Sequence, residues 1–497
     1  MSAAVGTAFD ATRVPARAGR RPLHPLRALV PAGAGVVLGV GVATGDLRLV
    51  ALGVLPLVFA AVARPQAALL LFAFVAYLNL PVVAARATGV KPGLTGAAAV
   101  LLLAIPFLAH VVIRRRPLVL TPAIGLMTAW LGVLILSAAA AGAAPSTLSP
   151  IVTFLTEGLI LCVLLANAVR TPATLRAVLW ALVAAGATMG LISVWQEVTH
   201  SYHNTLFGLA QVETLDTRSR AAGGAVRPRL AGPLGEKNSY AQIMIILLPL
   251  AFALYKTERD RVRRALAVGC GTLVLCGAAL TFSRGGAVAM AIMIVAAVAM
   301  RIVPLRHVVV IVAAIAAVVL TVAPDYVARV QTLAAAESAT STDTSADAAI
   351  RGRATENLAA LHVLRDHPVL GVGPDQFFRR YSQAYANQLD LRFLQTRRRA
   401  HTLYLELAAD TGLVGLAVFL SILGTTVVQL GRWARVRLRE GHSELAAYAN
   451  ALVLGLVAYL AAGLFLTLAY QRYLWIVIAL ANSALWMLRR GDGGEAR

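Results

Sequence analysis

Apolar runs of about 20 residues, the length that crosses a hydrocarbon layer, recur along most of this chain and are separated by short polar breaks. They predict helices near 28–44, 47–63, 66–85, 94–113, 118–141, 150–169 and 174–198. A second group is predicted near 238–256, 263–281, 285–301, 305–323, 411–430, 444–467 and 472–488. The pattern is that of an all-α polytopic membrane protein with about 12–14 transmembrane helices. The lower count applies if the first two segments, short and Gly-rich, form one re-entrant pair. Two long polar intervals, 199–237 and 324–410, break the series. The expected organisation is a basic tail (1–27), an N-terminal transmembrane bundle (28–198), a loop (199–237), transmembrane helices (238–323), a large loop containing short helices (324–410), C-terminal transmembrane helices (411–488) and a tail (489–497).

The large loop has a pattern of its own. Residues 331–349, rich in Ala, Ser, Thr and Asp, lack a strong apolar face and read as mobile. Leu358, Leu361 and Leu364 then recur at helical spacing until His367-Pro368 ends the run. Gly371-Val372-Gly373-Pro374 reads as a turn, with Asp375 as the N-cap of a short helix through Tyr385. A further helix is expected to open near His401 and to run into the next span, bent around Gly412.

Composition agrees with the pattern: 59% of the 497 residues are hydrophobic and 14% charged, where a soluble domain has about a quarter charged. Mean hydropathy is +0.75. The net charge of +22 would suit nucleic acid if it were gathered on one face. Instead more than half of the Lys and Arg residues alternate between apolar runs on one side. They include Arg20 and Arg21, Arg114 to Arg116, Arg261 to Arg264 and Arg489-Arg490. The positive-inside rule places that side, and both termini, in the cytoplasm and the two long loops outside. Arg20-Arg21 is then part of an uncleaved tail rather than an export signal. Membrane lipids, and no nucleic acid, are the expected surroundings. Cys162, Cys270 and Cys276 lie in apolar runs without metal-ligand spacing and read as packing residues.

Three side chains on the outer side carry the chemistry. Arg229 stands in Arg-Pro-Arg-Leu-Ala-Gly-Pro-Leu-Gly-Glu-Lys-Asn, Arg284 in the tight turn Thr-Phe-Ser-Arg-Gly-Gly, and His401 after Arg397 to Arg399. Gly285 and Gly286 would permit the turn and the approach of a phosphate. Fixed cations beside a titratable imidazole at a lipid surface suit transfer of a sugar chain from a lipid pyrophosphate. Many such enzymes hold the departing phosphates with a metal on Asp-X-Asp, a motif that occurs nowhere in this sequence. The planar guanidinium fork takes phosphate oxygens bidentately and needs no metal or other cofactor. The neighbouring cations favour the neutral, basic form of His401, which suits removal of a proton from a sugar hydroxyl. Arg227 and Lys237 are weaker candidates. Glu406 lies too far round a helix to orient His401, so any carboxylate partner of that histidine must come from elsewhere. Glu157, inside a span, implies a polar cavity. The plainer alternatives are a snorkelling Arg284, a solvated Arg229 and a hydrogen-bonded interface histidine.

Four stretches, Arg227–Ala241, Thr281–Gly286, Asp366–Phe377 and Ala400–Leu420, come in an order that resembles the O-antigen ligase and O-antigen polymerase superfamily. The resemblance implies an inverting, metal-independent glycosyltransferase of the bacterial cytoplasmic (inner) membrane, active at its outer face. Its donor would be an undecaprenyl-pyrophosphate-linked glycan and its acceptor a glycan or glycolipid. It further implies Arg229 and Arg284 as donor pyrophosphate ligands, His401 as catalytic residue, and Arg353, with Arg351 competing, as a further essential arginine. The family often has Asn after the histidine, where this chain has Thr402, so the acceptor is expected to differ. A surface-polysaccharide polymerase or an O-antigen ligase is favoured over a protein O-oligosaccharyltransferase. A lipid-linked glycan flippase or a scaffold is the alternative from another class.

Overall fold

The computed structural model describes residues 64–89, 92–142, 145–213, 228–322, 344–389, 397–467 and 472–490, all within the compact unit Ala61–Arg497. The basic tail and the first two expected spans lie outside these residues. Every expected segment from 66 onwards coincides with a helix. In the first half these are α1 (Pro65–Tyr77), α2 (Leu80–Thr88), α3 (Pro92–Leu108), α4 (Pro122–Ala140), α5 (Pro145–Ala168) and α6 (Pro172–Thr199). In the second they are α7 (Lys237–Thr257), α8 (Arg261–Ala279), α9 (Arg284–Ala299), α10 (Leu305–Val322), α11 (Thr344–Asp366), α12 (Ser382–Gln388), α13 (Leu403–Arg439), α14 (Ser443–Ala462) and α15 (Arg472–Arg490). Among the described residues, 7 helices are long and apolar enough to cross a membrane, or 8 if α1 and α2 make one span. The protein is an all-α polytopic membrane protein; the strands among the described residues are the short pair β1 (Gln211–Glu213) and β2 (Arg229–Gly232).

The segment expected as one span at 66–85 is broken between α1 and α2 by a bend of 65°. Asn79 takes a left-handed backbone (φ 62°) there, and Pro81 removes an amide from the ladder. The break has a use: the Asn79 side-chain amide donates to the Pro233 carbonyl (3.1 Å), as does Arg86 (3.2 Å). Two positions in the N-terminal half thereby hold the turn that follows β2.

In lipid, helices gain little from burying apolar surface against each other, so close backbone approach and hydrogen bonds hold them. A β-carbon at Gly190 of α6 would lie 2.0 Å from the Leu273 carbonyl oxygen of α8, so only glycine lets these helices cross so closely. The Tyr77 hydroxyl donates to Ile243 O (2.7 Å) and the Gln242 amide to Tyr459 O (3.1 Å), fastening α7 to α1 and α14. Trp130, Phe154, Phe419 and Trp475 fill the centre in edge and tilted contacts, with centroids 4.5 Å apart for Trp130–Phe154 and 5.0 Å for Phe154–Trp475.

Glu157, which the sequence suggested lines a polar cavity, is engaged differently. It lies in a π-helical turn of α5, Phe154–Ile160, and its carboxylate accepts from Arg472 at the head of α15 (2.9 Å). The wider turn brings the acid round to the arginine, so the ion pair neutralises the charge within the bundle. Removing one partner strands the other. Arg472→Ala is therefore expected to destabilise the protein by about 2–3 kcal/mol, less than the ~3–5 kcal/mol of a fully dry pair. Thermal unfolding in detergent should show it, with Glu157→Gln in the same chain restoring most of the loss.

The large loop departs from expectation in three ways. Residues 344–349, expected to be mobile, form the first turns of α11. The buried face of α11 is Ala359, Ala360 and Val363, packed with Val372, Phe377, Ala386, Ala400 and Ala409, whereas Leu358 and Leu361 point outward. Small side chains win the inner face because they let α11 lie close to its neighbours. Asp375 caps no helix; its own backbone is left-handed (φ 62°), and Asp410 supplies the cap, accepting from the amides of Asp375 and Phe377 (both 2.9 Å).

The expected bend at Gly412 is present. Its φ of 68° and ψ of −174° interrupt α13, and a β-carbon there would sit 2.1 Å from the Val369 carbonyl oxygen. The break frees backbone groups that the turn after α11 uses. Val372 N–H donates to Ala409 O (3.0 Å), Gly373 N–H to Asp410 O (2.9 Å) and Leu413 N–H to Pro368 O (2.8 Å). Residues 403–411 thus pack with the turn after α11, and the helix is broken at Gly412.

Candidate functional site

The first half of the site is built where α7, α8 and α9 meet at the end of the bundle that the charge pattern assigns to the outside. Glu213 of β1 stands opposite Arg229 of β2, and Leu230 N–H donates to Leu280 O at the end of α8 (3.4 Å). Glu236 caps α7, accepting from the amides of Asn238 (2.9 Å) and Ser239 (2.6 Å). The Ser283 hydroxyl donates to Asn238 Oδ1 (2.9 Å) and accepts from Gly286 N–H (3.1 Å). These bonds join the stretch that carries Arg229 to the stretch that carries Arg284.

Arg284 is the first residue of α9, with Ser283 as N-cap. The positive φ of the preceding turn belongs to Phe282 (51°), not to a glycine. Gly285 and Gly286 serve instead as close-packing positions, against Phe465 and against Ala241 and Ile245. The first amides of a helix have no partner within it, and at the start of α9 the Ser283 hydroxyl takes that of Gly286.

Among the described residues, neither Arg229 nor Arg284 forms an ion pair. Arg229 is half-buried and its Nε is buried without a hydrogen-bond partner. Burial lowers its pKa from the ordinary arginine value; Glu213 opposes this and the charge of Arg284 adds to it. The charge of Arg284 thus acts on an arginine that has a buried, unbonded Nε, an arrangement that costs free energy and that an anion would relieve. Lys237, the weaker candidate, is neutralised by Glu213, and Arg227 lies outside the described residues.

The second half is the loop end of α13. Thr402 caps the helix by accepting from Tyr404 N–H (3.2 Å), so His401 sits just ahead of it. Leu403 N–H donates to Gly463 O (2.8 Å). Phe465, two residues on in that turn, is the residue that abuts Gly285. The turn after α14 thus connects the histidine segment to the arginine segment. Asn357 Oδ1 accepts from His401 N–H (3.2 Å), and Glu356 Oε2 lies 3.1 Å from the ring Nε2. Glu356, 1% exposed, is a carboxylate partner that sequence reasoning did not find. Its position 45 residues before the histidine gave no local signal.

Arg353 is exposed and lies one turn before Glu356 on α11, hence on the face directed to His401. The side chain of Arg351 lies outside the described residues. Arg399 is occupied elsewhere. It donates to Asp375 Oδ1 (2.8 Å), pairs with Glu406 and covers the Phe378 ring (4.6 Å). Glu406 therefore anchors Arg399 and not His401. Of the three consecutive arginines, one is a strut of the loop and Arg398 approaches Glu356 (3.7 Å).

Residues 269–420 match the family described as O-antigen ligase. This segment is similar to that family, which supports a place for the chain in the O-antigen ligase and polymerase superfamily. No curated protein matches the chain. The O-antigen ligase segment contains Arg284, Arg353, Glu356 and His401, while Arg229 precedes it. The match supports ligase- or polymerase-type activity in general, with a lipid-linked glycan and an acceptor as the general partners.

Proposed function

We propose that this protein transfers a glycan from an undecaprenyl-pyrophosphate donor to an acceptor hydroxyl, with inversion and without a metal, at the outer face of a bacterial cytoplasmic membrane. The observation that carries the reading is the pair Arg229 and Arg284, on stretches joined by the bonds between α7 and α9 and forming no ion pair among the described residues, with the Arg229 Nε buried and unbonded. Their forks take the pyrophosphate, Arg353 meets the phosphate or sugar from α11, and the lipid tail lies against the apolar helices. His401 takes the proton of the acceptor hydroxyl as its oxygen attacks the anomeric carbon from the face opposite the leaving group. The bond from that carbon to the phosphate oxygen breaks, and its electron pair leaves on the pyrophosphate. Charge grows on that group as the bond breaks, so the arginines hold the transition state more tightly than the bound donor.

A surface-polysaccharide polymerase or an O-antigen ligase fits best, because no separate module for a protein acceptor stands among the described elements. The test is transfer by protein reconstituted in liposomes with lipid-pyrophosphate glycan and EDTA, offered a lipid-linked glycan, lipid A core or a peptide. Product from wild type is expected, and the accepted substrate names the subclass. Movement of donor across the bilayer with no product from any acceptor would make the protein a flippase.

A further inference from the structure

Glu356 is a carboxylate buried inside the loop layer, 1% exposed, next to a histidine whose side chain is 39% exposed. Two successive residues of α11 act on that histidine: Asn357 holds its backbone N–H, and Glu356 faces the ring. Apart from His401, the charged neighbour of Glu356 is Arg398, farther off at 3.7 Å. Neither carboxylate oxygen has an aligned hydrogen bond from any described group, so the approach of Nε2 to 3.1 Å is a close contact of the two side chains. A buried acid so placed is expensive unless it serves the group it faces.

The contact is made to Nε2, and this decides the chemistry. A proton placed on Nε2 lies on the carboxylate side of the ring, which leaves Nδ1 with the free lone pair. We propose that Glu356 is the positioning residue of the His401 base. It fixes the ring with Nε2–H toward itself and Nδ1 toward the acceptor. It also stabilises the imidazolium formed when Nδ1 takes the acceptor's proton; that proton later leaves to solvent. The inference rests on the reading of His401 as the base, and it makes α11 part of the reaction as well as of the loop framework.

The test uses the full-length protein in liposomes. Glu356→Gln and Glu356→Ala are expected to lower turnover about 10- to 100-fold, below the full contribution of a general base, with the donor KM within about threefold of wild type. Glu356→Asp should retain more activity than either. Added formate should restore part of the rate to Glu356→Ala and none to His401→Ala, a recovery that a role in folding alone does not give. In a His401→Ala chain, Glu356→Gln should cause no further loss. Wild-type turnover by Glu356→Gln while His401→Ala is inactive would overturn the role of Glu356 alone. So would a loss that formate does not relieve and that adds to the loss from His401→Ala. Wild-type turnover by His401→Ala would overturn the reading of the base itself.

Discussion

Replacing Arg284 by alanine is expected to lower kcat/KM for the lipid-pyrophosphate donor about 10²–10³-fold, the range for deleting one donor to a developing anion. The structure adds a second expectation that separates a binding role from a structural one. Arg284 has no ion-pair partner among the described residues, and its charge bears on Arg229. Its removal therefore breaks no ion pair and relieves a repulsion, so the thermal midpoint should stay level or rise while activity collapses. Alanine is also well tolerated at the first position of a helix whose cap, Ser283, is untouched. Arg284→Lys should recover only part of the loss, because an ammonium keeps the charge but not the bidentate fork. Arg229→Ala should act in the same direction. The double variant should lose less than the two single losses multiplied, since both side chains hold one pyrophosphate. Activity of Arg284→Ala within about threefold of wild type would refute the pyrophosphate clamp, threefold being under 1 kcal/mol of transition-state binding.

The parts of this fold that the sequence declares are those set by solvent. Lipid demands about 20 apolar residues per crossing, and each expected segment from 66 onwards is a helix. The bend at Gly412 was legible too, because a glycine between a polar helix start and an apolar run marks a break. The places where reading failed are contacts between residues far apart in the chain. Glu157 looked like a cavity acid because Arg472, its partner, lies 315 positions on. Asp375 looked like a cap because Asp410, which does the capping, comes 35 residues later. Leu358 and Leu361 marked a helix correctly but the wrong buried face, since close packing of α11 favoured alanine over leucine at the contact. In the site, the arginines and the histidine stood out as charges at a membrane surface. Glu356 did not, because an acid in a polar loop looks like any solvated residue until the fold buries it.

His401→Ala should lower turnover by a different route from Arg284→Ala, and the difference is the stronger check. A general base contributes about 10²–10⁴-fold to turnover, so kcat should fall by that order while the donor KM stays near wild type. The arginine variant should instead weaken donor binding as well as the rate. Stability should move the opposite way too. His401 is the nearest partner of the buried Glu356 carboxylate, so alanine there leaves that acid facing only Arg398 and should cost about 1–3 kcal/mol. His401→Gln separates the two effects. Its amide can still donate toward Glu356, so most of the stability should return, yet glutamine has no basic nitrogen and turnover should remain lost. Donor binding to the inactive His401→Gln protein, measured with a labelled lipid-pyrophosphate glycan, should match wild type and disappear when Arg284→Ala is added. Substantial turnover by His401→Gln would mean that the acceptor loses its proton elsewhere, and the loop histidine would then be a framework residue beside a clamp that works without it.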